Sequence, residues 1–261
     1  MMKKTKFIYS SMQRFLSSPK NLILDILFPA FCINCSKEGS YLCPDCLSLT
    51  DILNRQYCPF CEYPKVVLDG KTCNRCKRSK NLNGLYCATS YDNFIVKKLI
   101  NQFKYEPYLK ELSKPLSSLI IAHLINLNKF TPLDNKHLTE FKEFSNFLVI
   151  SVPLHKKKLK QRGFNQAEEL AKELSKNLKI PVICNVLVKI KQTPSQVELM
   201  KEEREKNIKG AFSCQNPELI NRRKILLVDD VFTTGSTLEE CARVLKDAGA
   251  KEVWGIVVAR G

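Results

Sequence analysis

A short hydrophobic run that ends in two adjacent acids is the feature that most limits the fold of this chain. Residues Ile225–Val228 lead into Asp229 and Asp230, and a loop rich in Thr, Gly and Ser then precedes an amphipathic segment. This order predicts a buried strand, a turn and a helix, with two carboxylates at the carboxyl end of the strand. Open α/β sheets bind ligands at that edge. We therefore expect an α/β fold with a ligand site at this point.

The segment after the loop supports the same unit. Ser236 and Glu239 have capping-box spacing, which predicts Ser236 as the N-cap with the Glu239 side chain reaching back to it. Gly249 stands where a left-handed C-terminal cap belongs. Val253–Ala259 is almost continuously apolar, as expected of a parallel strand that is buried on both faces. Together these features predict a β-loop-α-β unit.

The residue types around the turn point to a sugar phosphate. Carboxylates accept hydrogen bonds from sugar hydroxyls, and backbone amides at a helix N-terminus bind phosphate. We interpret Asp229 and Asp230 as holding ribose hydroxyls; the alternative is an ordinary strand–helix connection whose acids face water. The pattern resembles the 5-phosphoribosyl-1-pyrophosphate (PRPP) signature of type I phosphoribosyltransferases. The predicted 5-phosphate loop consists of Thr233, Thr234, Gly235, Ser236 and Thr237.

Eight of the twelve cysteines form four Cys-x-x-Cys pairs within residues 32–76. Two thiolates at this spacing reach one tetrahedral ion, and two such pairs complete a closed, structural zinc site. Joining neighbouring pairs gives two zinc ribbons with shorter loops, whereas joining alternate pairs gives a crossed arrangement; we favour the first. A redox role is the alternative, but no thioredoxin-like pattern surrounds any pair. The predicted zinc ligands are Cys32, Cys35, Cys43, Cys46, Cys58, Cys61, Cys73 and Cys76.

The charge of the chain favours a polyanionic partner. It carries 42 basic and 26 acidic residues, a formal charge of +16. Two filled four-thiolate zinc sites would lower this to roughly +12, because each centre carries about −2. Nucleic acid, anionic lipid and phosphorylated ligands fit such a charge, although a lysine-rich proteome would also produce it.

The cysteine-rich segment combines basic and aromatic side chains. This combination suits single-stranded nucleic acid, through phosphate contacts and base stacking. In the alternative, the aromatic rings form a small core and the basic residues only keep the module soluble. The basic residues are Arg55, Lys65, Lys71, Arg75, Lys77, Arg78 and Lys80, and the aromatic ones are Tyr57, Phe60 and Tyr63.

The middle of the chain continues the α/β pattern. Gly84–Tyr91 and Phe147–Val152 are predicted strands, and Phe94–Tyr105 is a predicted helix. A second helix is expected within Leu109–Leu127, with Pro115 either kinking it or marking a later start. A charged helix is expected around Val197–Ile208. The four remaining cysteines lack metal spacing and are predicted to be small buried hydrophobes: Cys87, Cys184, Cys214 and Cys241.

A cationic loop is predicted at Leu154–Gln166, between the second strand and a helix over Ala167–Leu178. At the carboxyl end of a strand in the same sheet, it would be well placed to hold a pyrophosphate. Arg162 could clamp two oxygens through its planar guanidinium, with Lys156 beside it. A solvated run of charges is the alternative. His155 is interpreted as a surface histidine.

No secretory signal or membrane span is predicted. Asn21–Phe31 is short, contains Asp25 and lacks the apolar core and the cleavage site of a signal peptide. No run approaches the roughly 18 apolar residues that cross a bilayer. We therefore expect a cytoplasmic protein, in which thiols stay reduced and paired Cys-x-x-Cys motifs bind metal.

Taken together, these motifs resemble the ComF family of ComFC-type competence proteins, almost from end to end. The resemblance is carried by Leu27-Phe28-Pro29, the four Cys-x-x-Cys pairs, Phe103-Lys104-Tyr105, Val152-Pro153-Leu154, Arg162-Gly163-Phe164-Asn165-Gln166, Thr193 with Gln196, Arg204-x2-Asn207, Gly210-Ala211-Phe212 and Asp229–Thr237. It implies a type I phosphoribosyltransferase-like fold, with a twisted, mostly parallel sheet and flanking helices, behind a zinc-ribbon module. We expect an N-terminal helical segment over residues 1–30, the zinc module over 31–80 and the phosphoribosyltransferase-like domain over 84–261.

The resemblance also implies a role in natural transformation, in which the protein handles incoming single-stranded DNA in the cytoplasm beside a helicase. Three interpretations follow. The first is a DNA-binding competence factor whose PRPP site senses a ligand or is a structural relic. The second is an active phosphoribosyltransferase, in which Mg²⁺ and the Lys156–Arg162 segment hold the departing pyrophosphate. The third is an adapter whose zinc module docks the helicase.

Overall fold

The computed structural model describes residues 29–127, 131–132, 139–193 and 206–261. The helical segment predicted for residues 1–30 and the charged helix predicted around Val197–Ile208 lie almost entirely outside these ranges. Among the described helices, none is long and apolar enough to span a bilayer.

Eight strands are described. They are β1 Gly84–Ser90, β2 Thr131–Pro132, β3 Thr139–Glu140, β4 Phe147–Ser151, β5 Leu187–Lys189, β6 Phe212–Cys214, β7 Lys224–Phe232 and β8 Glu252–Arg260. The central sheet has the order β1-β8-β7-β4 and all its pairings are parallel. The pairs β2–β3 and β5–β6 form two small antiparallel sheets.

Helices cover both faces of the central sheet. The α-helices are α1 Pro44–Ser48, α2 Asn74–Lys77, α3 Phe94–Lys104, α4 Ser113–Asn126, α5 Lys156–Arg162, α6 Gln166–Leu178 and α7 Ser236–Asp247. Short 3₁₀ turns occur at Leu68–Gly70, Lys110–Leu112, Lys142–Phe144 and Pro217–Leu219.

The central position of β7 explains its nearly continuous apolar sequence. Leu226 and Val228 belong to the core shared with α3, α4 and α6, whereas Ile225 and Leu227 belong to the core shared with α7. Alternate side chains of a strand point to opposite faces, so a strand with helices on both faces must be apolar at every position. The expected α/β architecture with a parallel sheet is confirmed.

Several element boundaries follow the sequence prediction closely, and others differ. Helix α4 begins at Ser113 and holds Pro115 in its first turn, where the ring costs no hydrogen bond. The later start is therefore the correct alternative. The prediction that the four remaining cysteines are buried is wrong for Cys184, which is exposed, and only partly right for Cys214. The lack of metal-binding spacing therefore does not ensure that a cysteine is buried.

The cysteine-rich segment packs against the sheet domain at two places. Leu42 and Leu47 join the hydrophobic core that contains α3 and α4. His123 of α4 is fully buried; its Nδ1 lies 2.6 Å from the carbonyl of Leu53 and its Nε2 lies 2.9 Å from Nε2 of Gln56. Because Nδ1 faces a carbonyl and Nε2 faces an amide donor, a neutral ring with the proton on Nδ1 satisfies both contacts.

Candidate functional site

The acid pair lies inside strand β7, near its carboxyl end. The sequence predicts that the strand ends at the acid pair, but pairing with β8 continues to Phe232 and extends it. Asp230 is buried and its Oδ1 lies 2.8 Å from Nζ of Lys104. Asp229 Oδ1 accepts a hydrogen bond from the backbone N–H of Asp230 at 2.9 Å.

The two carboxylates have different electrostatic surroundings. Burial, followed by the neighbouring charge of Asp230, raises the pKa of Asp229 to about 7. For Lys104, burial alone would lower the pKa, but the carboxylates of Asp230 and Asp229 reverse this and raise it. Lys104 is thus held as a cation beside Asp230, while Asp229 titrates near neutral pH.

The turn from β7 into α7 is closed by its own hydroxyl groups. Thr234 Oγ1 lies 2.8 Å from Ser236 Oγ and accepts a hydrogen bond from the N–H of Ser236 at 3.4 Å. Helix α7 begins at Ser236, so its first amides point toward the loop, as the predicted phosphate site requires.

The predicted capping box is wrong. The N-cap is Gly235, in a left-handed conformation with φ +78°, and Ser236 is the first helical residue. The Glu239 carboxylate does not reach back to the helix start. It accepts hydrogen bonds from the backbone N–H groups of Asn81 and Leu82, at 2.6 and 3.1 Å, and from Nδ2 of Asn81 at 2.9 Å. Three donors on another segment satisfy it better than one at the cap.

A glycine is required at position 235 because of steric crowding as well as backbone conformation. A Cβ added there would lie 2.4 Å from the ring of Phe232 and 3.2 Å from the ring of Phe60. Phe60 belongs to the third Cys-x-x-Cys pair, so the cysteine-rich segment reaches this loop directly.

The predicted cationic loop is a helix. Helix α5 covers Lys156–Arg162 and ends at Gly163, which is left-handed. Residues four apart share one helical face, so Lys158 and Arg162 both line the site. Lys156 is exposed and is not among the lining residues, because two positions correspond to about 200° around a helix.

Arg162 is held in place by Gln166, at the start of α6, and by Tyr105, the residue after α3. Its Nη1 donates to Oε1 of Gln166 at 2.9 Å, and its guanidinium lies 5.8 Å from the ring centroid of Tyr105. Gln166 is buried and donates from Nε2 to the carbonyl of Phe103 at 3.0 Å. Two motifs that are joined by a contact across 63 residues of sequence therefore meet at one side of the cavity.

Two lysines of the site, Lys104 and Lys189, were not predicted as site residues, and Lys158 was predicted only as part of the Lys156–Arg162 segment. Lys104 and Lys158 line it together with Lys189, whose Nζ donates to Oγ1 of Thr193 at 2.9 Å. No local pattern identifies Lys104, because its partner Asp230 is more than a hundred residues away. The resemblance offered a signal for Lys104, in Phe103-Lys104-Tyr105, but not a role.

Burial and neighbouring positive charges lower the pKa of two lysines around the site. Burial lowers the pKa of Lys158, and the charges of Arg162 and Lys104 lower it further. Burial and the charge of Lys158 lower the pKa of Lys189 in the same way. An anion among these groups would relieve both the burial penalty and the repulsion.

These groups surround one cavity of about 380 Å³. It contains Asp229, Asp230, the whole 233–237 loop and Arg162, so all the predicted site residues of the sheet domain except Lys156 come together. The cationic lining residues are Lys104, Lys158, Arg162 and Lys189.

The cysteines form two groups, Cys32/Cys35/Cys43/Cys46 and Cys58/Cys61/Cys73/Cys76, each with all Sγ atoms within 4.8 Å of one another. Neighbouring pairs are therefore joined, as favoured, and the crossed arrangement is wrong. The Sγ atoms of Cys35 and Cys43 are 3.5 Å apart, and those of Cys61 and Cys73 are 3.6 Å apart. A tetrahedral zinc–thiolate centre with bonds of about 2.3 Å needs sulfurs about 3.8 Å apart, so both groups fit structural zinc.

Comparison with known proteins gives two domain matches. A phosphoribosyl transferase domain model matches residues 159–261, and a double zinc ribbon domain model matches residues 23–89. The Haemophilus influenzae "Competence protein F" is 40% identical over 42% of this chain and 50% of its own length. The Bacillus subtilis "Competence protein ComFC" is 24% identical over 82% of this chain and 81% of its own. The chain is a homologue of the ComF and ComFC competence proteins.

Other relatives carry a related description. The Escherichia coli "DNA utilization protein YhgH" is 31% identical over 60% of this chain and 64% of its own length. This ComF homologue thus spans less than two thirds of the Haemophilus and Escherichia proteins. A purine phosphoribosyltransferase structure from Pyrococcus horikoshii aligns with 46% of the chain and 74% of its own, at 16% identity and a TM-score of 0.26.

The matched ranges divide the candidate site of this ComF homologue. Arg162, Lys189, the acid pair and the 233–237 loop lie within the phosphoribosyl transferase match, whereas Lys104 and Lys158 precede it. Both four-cysteine groups lie within the double zinc ribbon match.

Proposed function

We propose that this chain handles incoming single-stranded DNA in the cytoplasm during natural transformation, and that its cavity binds PRPP or a related ribose phosphate. The descriptions of its relatives, as competence and DNA utilization proteins, support the first part. The observation that carries the second is the convergence of an acid pair, a helix-start loop and four cationic side chains on one cavity.

Each part of a phosphoribosyl ligand has a complementary group there. The carboxylates of Asp229 and Asp230 accept hydrogen bonds from ribose hydroxyls. The amides and hydroxyls of the 233–237 loop receive the 5-phosphate. The cations, with Arg162 at their edge, meet the charge of the pyrophosphate.

Magnesium does not fit as a resident ion of the chain. In the described part of the protein, the only groups of three or more potential metal-ligating side chains are the two four-cysteine clusters. The Nζ of Lys104 lies 2.8 Å from Oδ1 of Asp230, and its positive charge opposes a second cation there. Magnesium would therefore enter with the pyrophosphate ligand and would neutralise part of its charge.

The surface of the zinc module suits single-stranded DNA. Tyr63 is 80% exposed, so it does not serve a small core, whereas Phe60 packs against Phe232. An exposed ring beside cations can stack on a base while the cations contact phosphates. We define the ribbon patch as Tyr63 with the exposed basic residues Arg55, Lys65, Lys71, Arg75, Lys77 and Arg78.

Calorimetric titration with Mg²⁺-PRPP tests the cavity. The double variant Asp229→Asn with Asp230→Asn should abolish binding, because amides replace both carboxylates that accept the ribose hydroxyls. Asp51→Asn, at an exposed acid of the zinc module, is the control and should bind as the wild type does. Unchanged affinity in the double variant would show that the acid pair does not bind the ligand.

Fluorescence anisotropy of a labelled single-stranded oligonucleotide tests the DNA surface. Tyr63→Ala should weaken binding by about 1–3 kcal/mol, whereas Tyr63→Phe keeps the ring and should bind normally. Replacing Lys65 and Lys71 by alanine should reduce the dependence of affinity on salt. If all these variants bind with wild-type affinity and salt dependence, the DNA surface lies outside the ribbon patch. Adding Mg²⁺-PRPP to the titration shows whether the two ligands act on each other.

An active phosphoribosyltransferase is the second candidate, and the cations around the cavity favour it. In that reaction an acceptor attacks C1 of the ribose, the C1–O bond breaks, and pyrophosphate leaves with the bonding electrons. Lys158, Arg162 and Lys189 would stabilise the charge of the leaving group. Release of pyrophosphate from PRPP, measured with single-stranded DNA and with nucleobases as acceptors, tests it. Release no faster than from the Asp229→Asn/Asp230→Asn variant would exclude turnover with those acceptors.

A helicase partner remains a prediction of the family resemblance. Co-purification of the candidate helicase with the wild type and with the Tyr63→Ala variant tests whether the ribbon patch docks a protein. If Tyr63→Ala no longer co-purifies with the helicase but binds DNA with unchanged affinity, the ribbon patch binds a protein and not DNA.

A further inference from the structure

Phe60 connects the second four-cysteine group to the 233–237 loop. It lies between the cysteines Cys58 and Cys61, and its ring meets that of Phe232 edge-on, with centroids 6.3 Å apart. Its ring edge is also 3.2 Å from the position of a Cβ on Gly235. The loop is therefore bounded by its own strand on one side and by this ring on the other.

Neighbouring contacts hold the ring against the loop. Arg260, at the end of β8, donates from Nη2 to the carbonyl of Pro59 at 3.4 Å, and its guanidinium lies 5.6 Å from the ring centroid of Phe232. The Nζ of Lys80 lies 5.1 Å from the centroid of Phe60. Each of the two rings therefore has a cation over it, which favours their present positions.

The chain that leaves the second group is fixed to the same helix start. Asn81 and Leu82 donate three hydrogen bonds to Glu239, in the first turn of α7. The second zinc ribbon therefore contacts the loop through Phe60 and the following helix through this carboxylate.

The first four-cysteine group lies elsewhere. Cys32, Cys43 and Cys46 are part of the hydrophobic core formed with α3, α4 and α6, on the opposite face of the sheet from α7. The two groups are thus chemically alike but differ in what they touch.

We propose that Phe60 is a positioning residue for the 233–237 loop, so that zinc at the second four-cysteine group sets the affinity of the cavity for a ribose phosphate. Zinc–thiolate bonds fix the Cys58–Cys61 knuckle, and without them the knuckle loses its fold and its ring no longer braces the loop. The affinity part rests on the proposed function; the positioning of the loop does not.

Hydrogen–deuterium exchange of the full-length, zinc-loaded protein tests the positioning without any ligand. In Phe60→Ala the amides of residues 233–237 should exchange about threefold to tenfold faster, as expected from loss of an aromatic pair. Phe60→Leu keeps apolar bulk against Phe232 and should restore most of the protection. Leu68→Ala is the matched control, because Leu68 lies in the same ribbon and is 86% exposed.

Exchange in Phe60→Ala that equals exchange in Leu68→Ala would overturn the proposal. Zinc content is measured in each variant. If Phe60→Ala releases zinc, Phe60→Val, which keeps a larger apolar side chain in the knuckle, takes its place in the same comparison.

Zinc dependence is tested with one substitution in each group. Cys61→Ser should release one ion and speed exchange at residues 233–237, whereas Cys35→Ser should release the other ion with no change there. Equal exchange in the two variants would overturn the link to the second group.

Calorimetric titration with ribose 5-phosphate tests the affinity part. Binding by Phe60→Ala should be about threefold to tenfold weaker than by Leu68→Ala. If the wild type does not bind ribose 5-phosphate while exchange still responds to Phe60→Ala, the assigned ligand is wrong and the positioning of the loop stands.

Discussion

The Lys104–Asp230 ion pair links helix α3 to the strand that carries both acids. The pair is largely buried, with 21% and 9% of the two side chains exposed. A charge left alone in such a place is costly, whereas a neutral pair of similar size is tolerated. The pair therefore fixes the end of α3 beside the cavity.

Lys104→Met should lower the free energy of unfolding by about 2–3 kcal/mol, because Asp230 is left as a buried, unpaired acid. Adding Asp230→Asn should recover much of this loss. Urea denaturation of both single variants and the double variant measures the coupling, and Lys97→Met on the exposed side of α3 is the control. Strictly additive losses would show that the two side chains do not interact.

His123 is another buried titratable residue, and its pKa predicts how stability depends on pH. Burial lowers its pKa to about 4, although the carbonyl of Leu53 acts in the opposite direction. A histidine in an unfolded chain titrates near 6.5, so the unfolded state takes up more protons between these values. The contribution of His123 to the free energy of unfolding should therefore fall by about 3 kcal/mol as pH is lowered from 6.5 to 4.

Urea denaturation at several pH values measures this contribution as the difference between the wild type and His123→Gln, because the raised pKa of Asp229 acts on both proteins in the opposite direction. His123→Gln should remove most of it, whereas His155→Gln, at the start of α5, should leave it intact. A wild-type slope in His123→Gln would assign the dependence to other groups.

At the scale of elements, local periodicity predicted the helices and strands whose boundaries depend on residues close in the sequence. Strands β1, β4 and β8 and helices α3 and α6 begin and end within about two residues of the predicted positions, the usual uncertainty of such boundaries. The predictions for Glu239 and Lys156 differ from the structure because their surroundings depend on distant segments or on an unrecognised helix. Glu239 binds the segment after the zinc module, and Lys104 was not foreseen for the same reason.

Two glycines with the same backbone conformation allow the cost of backbone strain to be distinguished from the cost of steric clash. Gly163 and Gly235 both have φ +78°, but a Cβ on Gly163 would have no neighbour within 4 Å, whereas one on Gly235 would clash with Phe232. Gly163→Ala should cost about 1 kcal/mol from the left-handed conformation alone. Gly235→Ala should cost about 1–3 kcal/mol more and abolish binding of Mg²⁺-PRPP. Urea denaturation and calorimetry measure both; equal losses would mean that the ring of Phe232 moves away freely.

At the scale of the whole molecule, the zinc module and the sheet domain share hydrophobic contacts. Leu42 and Leu47 are buried with residues of α3 and α4, and Leu53 and Phe60 pack on the core that contains α7. The cysteine spacing predicted the zinc ribbons from the sequence, but not that each ribbon would pack on a different face of the sheet.

Removing zinc should therefore destabilise more than residues 32–76. A zinc chelator should lower the melting temperature of the entire chain in one transition, because the ribbons lose their fold and expose the core beneath them. Circular dichroism and calorimetry follow the transition, with the same chelator presaturated with zinc as the control. A separate early transition, with the sheet domain melting as before, would show that the two parts fold independently.

The crowding around Gly235 has an evolutionary consequence. Phe60, Phe232 and Gly235 occupy one small volume, although they are separated in the sequence by more than 170 positions at the widest. A larger residue at the glycine is tolerated only if a ring becomes smaller, and a smaller ring in the knuckle leaves a gap that another side chain must fill. Related sequences should therefore change at these three positions together. Such correlated changes would connect the zinc-binding segment of the gene to the segment that encodes the sugar-phosphate site.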